Sequence, residues 1–256
     1  MEKRQYVYLL FVLIIFSPPG FAGEYENFIA KGNEYYKKFE NLNALKQYEK
    51  AYVLMPDNYE SLTKLTRVYN DYGEEMTEAD DDKQAEIYFK KAMNLSEKLL
   101  TKFPDSACSY TYCALSLGNY AIFVGGNEKI KFANQIERNC KKAIQLNPND
   151  FIPYIILGIY NRELANLSWL ERIFANTFFG KVPDGKFEDA ERLFKKALEI
   201  NNNLIVAHYQ LSKIYRLIGN RQLEIDSLKK VLEMPLRDFR DKYSKAKAEK
   251  RLSKLN

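Results

Sequence analysis

Proton transfer or nucleophilic attack needs a base within reach of a nucleophile, and this chain offers little of either. Its single histidine, His208, lies in an apolar periodic segment where a histidine is expected to pack rather than to titrate against a substrate. Cys108, Cys113 and Cys140 fit no metal-ligand spacing, and with one histidine zinc chemistry is not expected. They read as small buried apolar side chains, or, in an oxidising compartment, as one disulfide with a thiol left over. Gly125-Gly126 is a turn signal, not a phosphate loop. Glu74, Glu75 and Glu78 followed by Asp80-Asp81-Asp82 lack the interleaving of a calcium loop and read as a solvated acidic loop. No catalytic residue, cofactor or metal is expected, and the chemistry left is that of binding.

The elements that would position a binding surface are written in a repeat. Phe28, Gly32, Tyr35, Ala44, Tyr48, Ala51 and Pro56 place large and small residues as a tetratricopeptide unit does, a helix–turn–helix of about 34 residues. The skeleton returns as Tyr59, Leu62, Leu65, Tyr69, Ala85, Phe89 and Ala92; as Tyr110, Ala114, Leu117, Ile136, Cys140, Ala143 and Pro148; and as Tyr154, Leu157, Gly158, Ala190, Phe194 and Ala197. A fifth unit has Leu211, Tyr215, Leu228 and Val231, with Glu224 where alanine is usual. The fold expected is an all-α tetratricopeptide solenoid of about five repeats over residues 23–235. Units two, three and four carry extra residues between their helices, about 7, 10 and 20 by this alignment, all on one edge of the array. The fourth addition holds Leu167, Trp169, Leu170, Ile173, Phe174, Phe178 and Phe179 at helical spacing, which predicts an additional amphipathic helix over 167–179.

The two ends differ from the middle. Lys3 and Arg4, an apolar run from Tyr6 to Phe16, and small residues at Gly20 and Ala22 read as a signal peptide, residues 1–22. The run is too short to span a bilayer, which takes roughly 20 residues; an uncleaved anchor extended through Phe21 is the competing reading. Export to the periplasm or another extracytoplasmic space is therefore expected. At the other end, residues 236–256 hold eight Lys or Arg against Asp238, Asp241 and Glu249, which equals the whole chain's net charge of +5. That segment is expected to be a basic helix, either a solvated cap on the solenoid or a peripheral contact with an anionic membrane. Nucleic acid is not an expected partner.

Leu167-Ser168-Trp169-Leu170-Glu171-Arg172, the Gly180-Lys181-Val182-Pro183-Asp184-Gly185 loop, Glu188-Asp189-Ala190, Phe103-Pro104-Asp105-Ser106 and Lys142-Ala143-Ile144-Gln145-Leu146-Asn147-Pro148 are similar to the tetratricopeptide domain of the regulator of microtubule dynamics family. The likeness covers roughly residues 60–235. It implies a non-enzymatic protein, and because one member at mitochondrial contact sites binds and transfers lipid, it also implies an apolar ligand. The secretory-type N-terminus and the generic first repeat depart from the family, so a cytoskeletal role does not carry over.

In such arrays ligands lie against positions two, five, nine, twelve and thirteen of each first helix. Repeats one and two place Glu26, Asn33, Lys37, Glu60, Arg67, Asn70 and Asp71 there, a polar surface for a protein or peptide partner. Repeats three and four place Thr111, Leu115, Ile152, Ile155 and Ile159 there, an apolar stripe that something must cover. The insertion helix could close over it as a filled core. Alternatively it is a lid above a cavity for a lipid or other apolar molecule, with Ile155 and Ile159 as floor, Phe174 and Phe178 as roof, Trp169 also in the groove, and Arg162, Lys213 and Arg216 meeting an anionic head group. A polar scaffold for a protein partner is the leading reading. The order of charge, short apolar run and small residues predicts that secreted protein begins near Gly23; an intact mass that retains residues 1–22 would contradict it.

Overall fold

The computed structural model describes residues 19–125, 128–179 and 184–255. Every regular element among them is helical: α1 (Pro19–Lys37), α2 (Asn41–Leu54), α3 (Tyr59–Glu78), α4 (Asp82–Lys102), α5 (Ala107–Val124), a 3-10 helix (Glu128–Phe132), α6 (Ala133–Leu146), α7 (Ile152–Ala165), α8 (Trp169–Phe179), α9 (Phe187–Ile200), α10 (Ile205–Leu217), α11 (Arg221–Glu233) and α12 (Phe239–Leu252). The apolar run expected to direct export lies outside the described residues, and the expected cleavage point after Ala22 falls in the first turns of α1. No described helix is long and apolar enough to cross a membrane.

Five antiparallel pairs stack in chain order: α1 with α2, α3 with α4, α5 with α6, α7 with α9, α10 with α11. Three of the pairings show a glycine under a large ring. A Cβ on Gly32 would come within 2.3 Å of the Tyr48 ring, on Gly73 within 2.8 Å of Phe89, and on Gly158 within 2.5 Å of Phe194. Without a side chain there, the second helix seats its ring directly on the backbone of the first. Ala44, Ala51, Ala92, Ala143, Ala190 and Ala197, all on second helices, are fully buried. The first helices also touch one another along the array, α3 to α5 to α7 to α10 to α12, so they form the inner wall and the second helices stand outside.

The insertions take three physical forms. In repeat two, α3 and α4 are lengthened, and the glycine of the crossing is Gly73, seven residues past the place it holds in repeat one. Seven residues are about two turns, so the helix lengthens without rotating its buried face. Glu74, Glu75 and Glu78 are therefore the last turns of α3, not a solvated loop, and Asp81 caps α4 by accepting from Gln84 N. In repeat three, α5 is lengthened and the 3-10 helix is added; in repeat four the addition is α8. The 3-10 helix and α8 touch, as additions gathered on one edge must. The chain returns from α8 through Gly185, whose Cβ would lie 2.5 Å from Ala165 N and Asn161 O; only a glycine passes so close to the end of α7.

Leucine in place of Ala143 or Ala197 is expected to destabilise by about 1–3 kcal/mol, because the added methylenes have no space at a close crossing. Chemical denaturation of each variant checks this, and unchanged midpoints would contradict the crossing.

Candidate functional site: the inner wall and its C-terminal strap

The inner wall is polar, and much of it is buried between first helices. Asn70 donates to Ser116 Oγ at 2.9 Å, and Asn119 donates to Asn70 Oδ1 at 3.2 Å and to Glu74 Oε1 at 2.7 Å, which links α3 to α5. Arg162 of α7, 6% exposed, donates to Gln210 of α10 and at 2.6 Å to Glu163. Arg67 is half-exposed and stacks on the Tyr36 ring with its guanidinium carbon 4.2 Å from the centroid.

Across this wall lies α12. Asp238 and Asp241 start it with reciprocal side-chain caps, the device that fixes a helix N-terminus where the chain turns. One side of α12 is apolar: Ala248, with Leu252 and Leu255 beside it, packs on Ile205, Leu228 and Val231. The other side is basic and faces α3. Arg240 Nη2 donates to Asp71 Oδ1 at 2.5 Å and to Glu74 Oε1 at 2.9 Å, while its Nε donates to Glu74 Oε2 at 2.6 Å. Lys247 pairs with Glu78, and Lys242 lies 3.9 Å from Glu75. Residues 240 and 247 thus answer residues 71–74 and 78, about two turns or less apart on each helix, so α12 and α3 run parallel.

The electrostatics of the strap follow from depth. Asp71 is 1% exposed and also accepts from Tyr36 Oη at 2.6 Å. Burial pushes the Glu74 carboxyl up, against the pull of Arg240. Burial likewise opposes the Arg240 charge, but Asp71, Glu74 and Asp238 outweigh it and hold the guanidinium protonated. Arg251 closes a second contact: its Nε donates at 2.6 Å to Glu224, which is 3% exposed. The glutamate that replaces the usual alanine of repeat five is a buried anion that α12 neutralises.

The sequence-derived site residues do not converge. Ile155 is packed among Phe194, Ala197, Leu204 and Ile214, and Ile159 borders that cluster. Ile152 and Leu115 border the neighbouring cluster around Leu117, Ile156 and Leu157. Ile155 is covered from α9 and from α10 of the next repeat, Ile152 and Ile159 are half-buried, and no described side chain of α8 joins either cluster. Instead α8 stands on the insertion edge, tied to α7 by Arg172 donating to Leu164 O at 2.9 Å. Its Trp169, Ile173, Phe174 and Phe178 are exposed, Trp169 at 73%. Arg162 and Lys213 do lie together, on α7 and α10; Arg216 is one turn further on and exposed. The basic tail is not simply solvated: α12 packs on α10 and α11 at the end of the array, and its Arg240, Lys242, Lys247 and Arg251 are paired with acids of the same chain. His208 is half-buried, and its imidazole is pushed down by burial and Lys230. It borders an open groove of about 490 Å³ with Asn202, Asn203, Glu233 and Met234. Cys108, Cys113 and Cys140 are free thiols, the last two buried. Among the described residues no group of three His, Cys, Asp or Glu could hold a metal ion.

The family model for regulator of microtubule dynamics proteins 1–3 matches residues 28–256. The chain belongs to that family. The match takes in the first repeat and α12, beyond the span legible in the sequence. The mouse regulator of microtubule dynamics protein 1 is 27% identical over 213 residues, 81% of this chain and 69% of that protein. The human protein 2 is 25% identical over 219 residues, 85% of this chain and 52% of that protein. A thermophilic tetratricopeptide protein of Thermus thermophilus superposes with a TM-score of 0.62 at 18% identity, covering 88% of this chain and 98% of its own. That likeness supports the solenoid fold.

Arg240→Ala is expected to cost roughly 2–3 kcal/mol, below the about 3–5 kcal/mol of a fully buried pair because the guanidinium is partly solvated. Lys242→Ala, at a longer and more exposed contact, should cost under about 1 kcal/mol. Urea denaturation of the two variants measures the difference; equal losses would mean that Arg240 does not tie α12 to α3.

Proposed function

We propose that the chain is a non-enzymatic scaffold that holds a protein or peptide partner along its inner wall. One observation carries the reading: Arg67 and Lys213 both project from first helices and are held over aromatic rings, Tyr36 at 4.2 Å and Tyr209 at 4.9 Å. Cations fixed over rings lose little freedom when they bind, which is what a recognition surface requires. The relatives are named for microtubule dynamics, but a cytoskeletal partner is not part of this proposal, since Lys3, Arg4 and the apolar run to Phe16 argue for an exported chain.

A second reading, binding of a lipid or other apolar molecule, draws on the exposed aromatic face of α8. It would use that outer face and not a cavity above Ile155. Peripheral membrane contact through the 236–256 segment draws on Arg237, Lys250 and Lys254, exposed cations without an acid partner among the described residues.

Selection from a displayed peptide library tests the scaffold. Binders should be lost with Arg67→Glu and kept with Lys196→Glu on the outer helix α9; binders indifferent to Arg67 would refute the inner wall. Ile155→Glu buries a charge without a partner and is expected to unfold the fourth repeat, read as lost helicity by circular dichroism. A fully helical variant that had lost bound lipid would restore the cavity reading.

A further inference from the structure

We infer that Arg162 of α7, Lys213 of α10 and Lys247 of α12 form an anion site on the inner wall, and that its ligand is a carboxylate of an acidic protein segment. The inference rests on the scaffold reading and names the chemistry of its partner. The Arg162 guanidinium is anchored on Gln210, and Gln210 stands three residues before Lys213, on the same side of α10. Arg162 and Lys213 therefore share one patch of the wall. Lys247 reaches it from α12, which packs on α10 next to Tyr209.

The patch is not neutral. Glu163 answers Arg162 and Glu78 answers Lys247, while Lys213 has no hydrogen bond or ion pair among the described residues and rests on the Tyr209 ring. Among the described residues, Arg162, Lys213, Lys247 and the neighbouring Arg216 outnumber Glu163 and Glu78 there. Burial, then Arg162 and Lys247, push the Lys213 ammonium down to about 8, with Glu163 and Glu78 pulling the other way. A half-buried lysine held among like charges gains most from an incoming anion. The surrounding groups, Gln210, Glu163 and Tyr209, can hydrogen-bond a peptide backbone, whereas the apolar side chains an acyl tail would need are packed inside the repeats.

Labelled hexaglutamate and hexaglutamine peptides, titrated by fluorescence anisotropy into the protein, test this, with inorganic phosphate and phosphatidylcholine vesicles containing phosphatidylserine as competitors. Hexaglutamate should bind about tenfold more tightly than hexaglutamine, and Lys213→Gln should remove that advantage. Because Lys213 deprotonates near pH 8, wild-type affinity should fall between pH 7 and 9, and Lys213→Arg should bind without that fall. Equal binding of the two peptides, or an unaffected Lys213→Gln, overturns the site but leaves the scaffold standing if library peptides still depend on Arg67. Displacement by phosphate, or vesicle binding without peptide binding, overturns the carboxylate in favour of a phosphate-bearing ligand. Binding of neither peptide overturns the site, and an empty library selection beside it removes the scaffold as well.

Discussion

An aromatic ring seated on a glycine is the contact on which the rest of this structure depends. Tyr48 on Gly32, Phe89 on Gly73 and Phe194 on Gly158 bring paired helices to backbone contact. The pairs then stack so that first helices meet first helices. The same contact explains why repeat two tolerates seven additional residues. Two whole turns move the crossing along α3 without changing which face is buried, and the lengthened end carries Glu74, Glu75 and Glu78 to where α12 passes.

The inner wall is held together by charge and hydrogen bonds more than by apolar contact. A buried ion pair is weak evidence for net stability, because desolvation offsets much of the attraction. Its value here is positional. Asp71 and Glu224 are nearly inaccessible anions on two helices far apart in sequence, and Arg240 and Arg251 satisfy both from a single helix. An alternative placement of α12 would leave one of them unpaired. The apolar residues Ala248 and Leu252 fix which side faces inward; the arginines fix its register against α3.

The repeats are legible in the sequence because each crossing needs particular sizes at particular spacings: Gly158 and Phe194, or Ala44 and Tyr48, state the fold locally. Gly73 escapes the pattern because it sits two turns past its usual place, and the acidic stretch after it then reads as a loop. Position in a repeat says which helix face a residue occupies, not how far the next repeat overlaps it, so the isoleucine stripe reads as open. In the structure Ile155 is covered from α9 and α10, and no described side chain of α8 joins that cluster. Nothing local distinguishes Arg240 from Lys245 or Lys250. Its partners lie 166 and 169 residues earlier, and only Glu224, an acid where alanine belongs, signals that a cation is needed from outside the repeat.

A solenoid ordinarily behaves as a row of units, each coupled only to its neighbours, so it can fray from either end and grow from any nucleus. The contact between Arg240 and Asp71 changes that arithmetic by joining the end of the row to its second unit. Loss of the last helix is then felt in repeat two, and the array melts as one body instead of peeling. The kinetic counterpart is a late closing step. A contact spanning 169 residues forms only after the intervening units have stacked, which raises the contact order of an otherwise locally wired helical protein and slows its final approach to the native state.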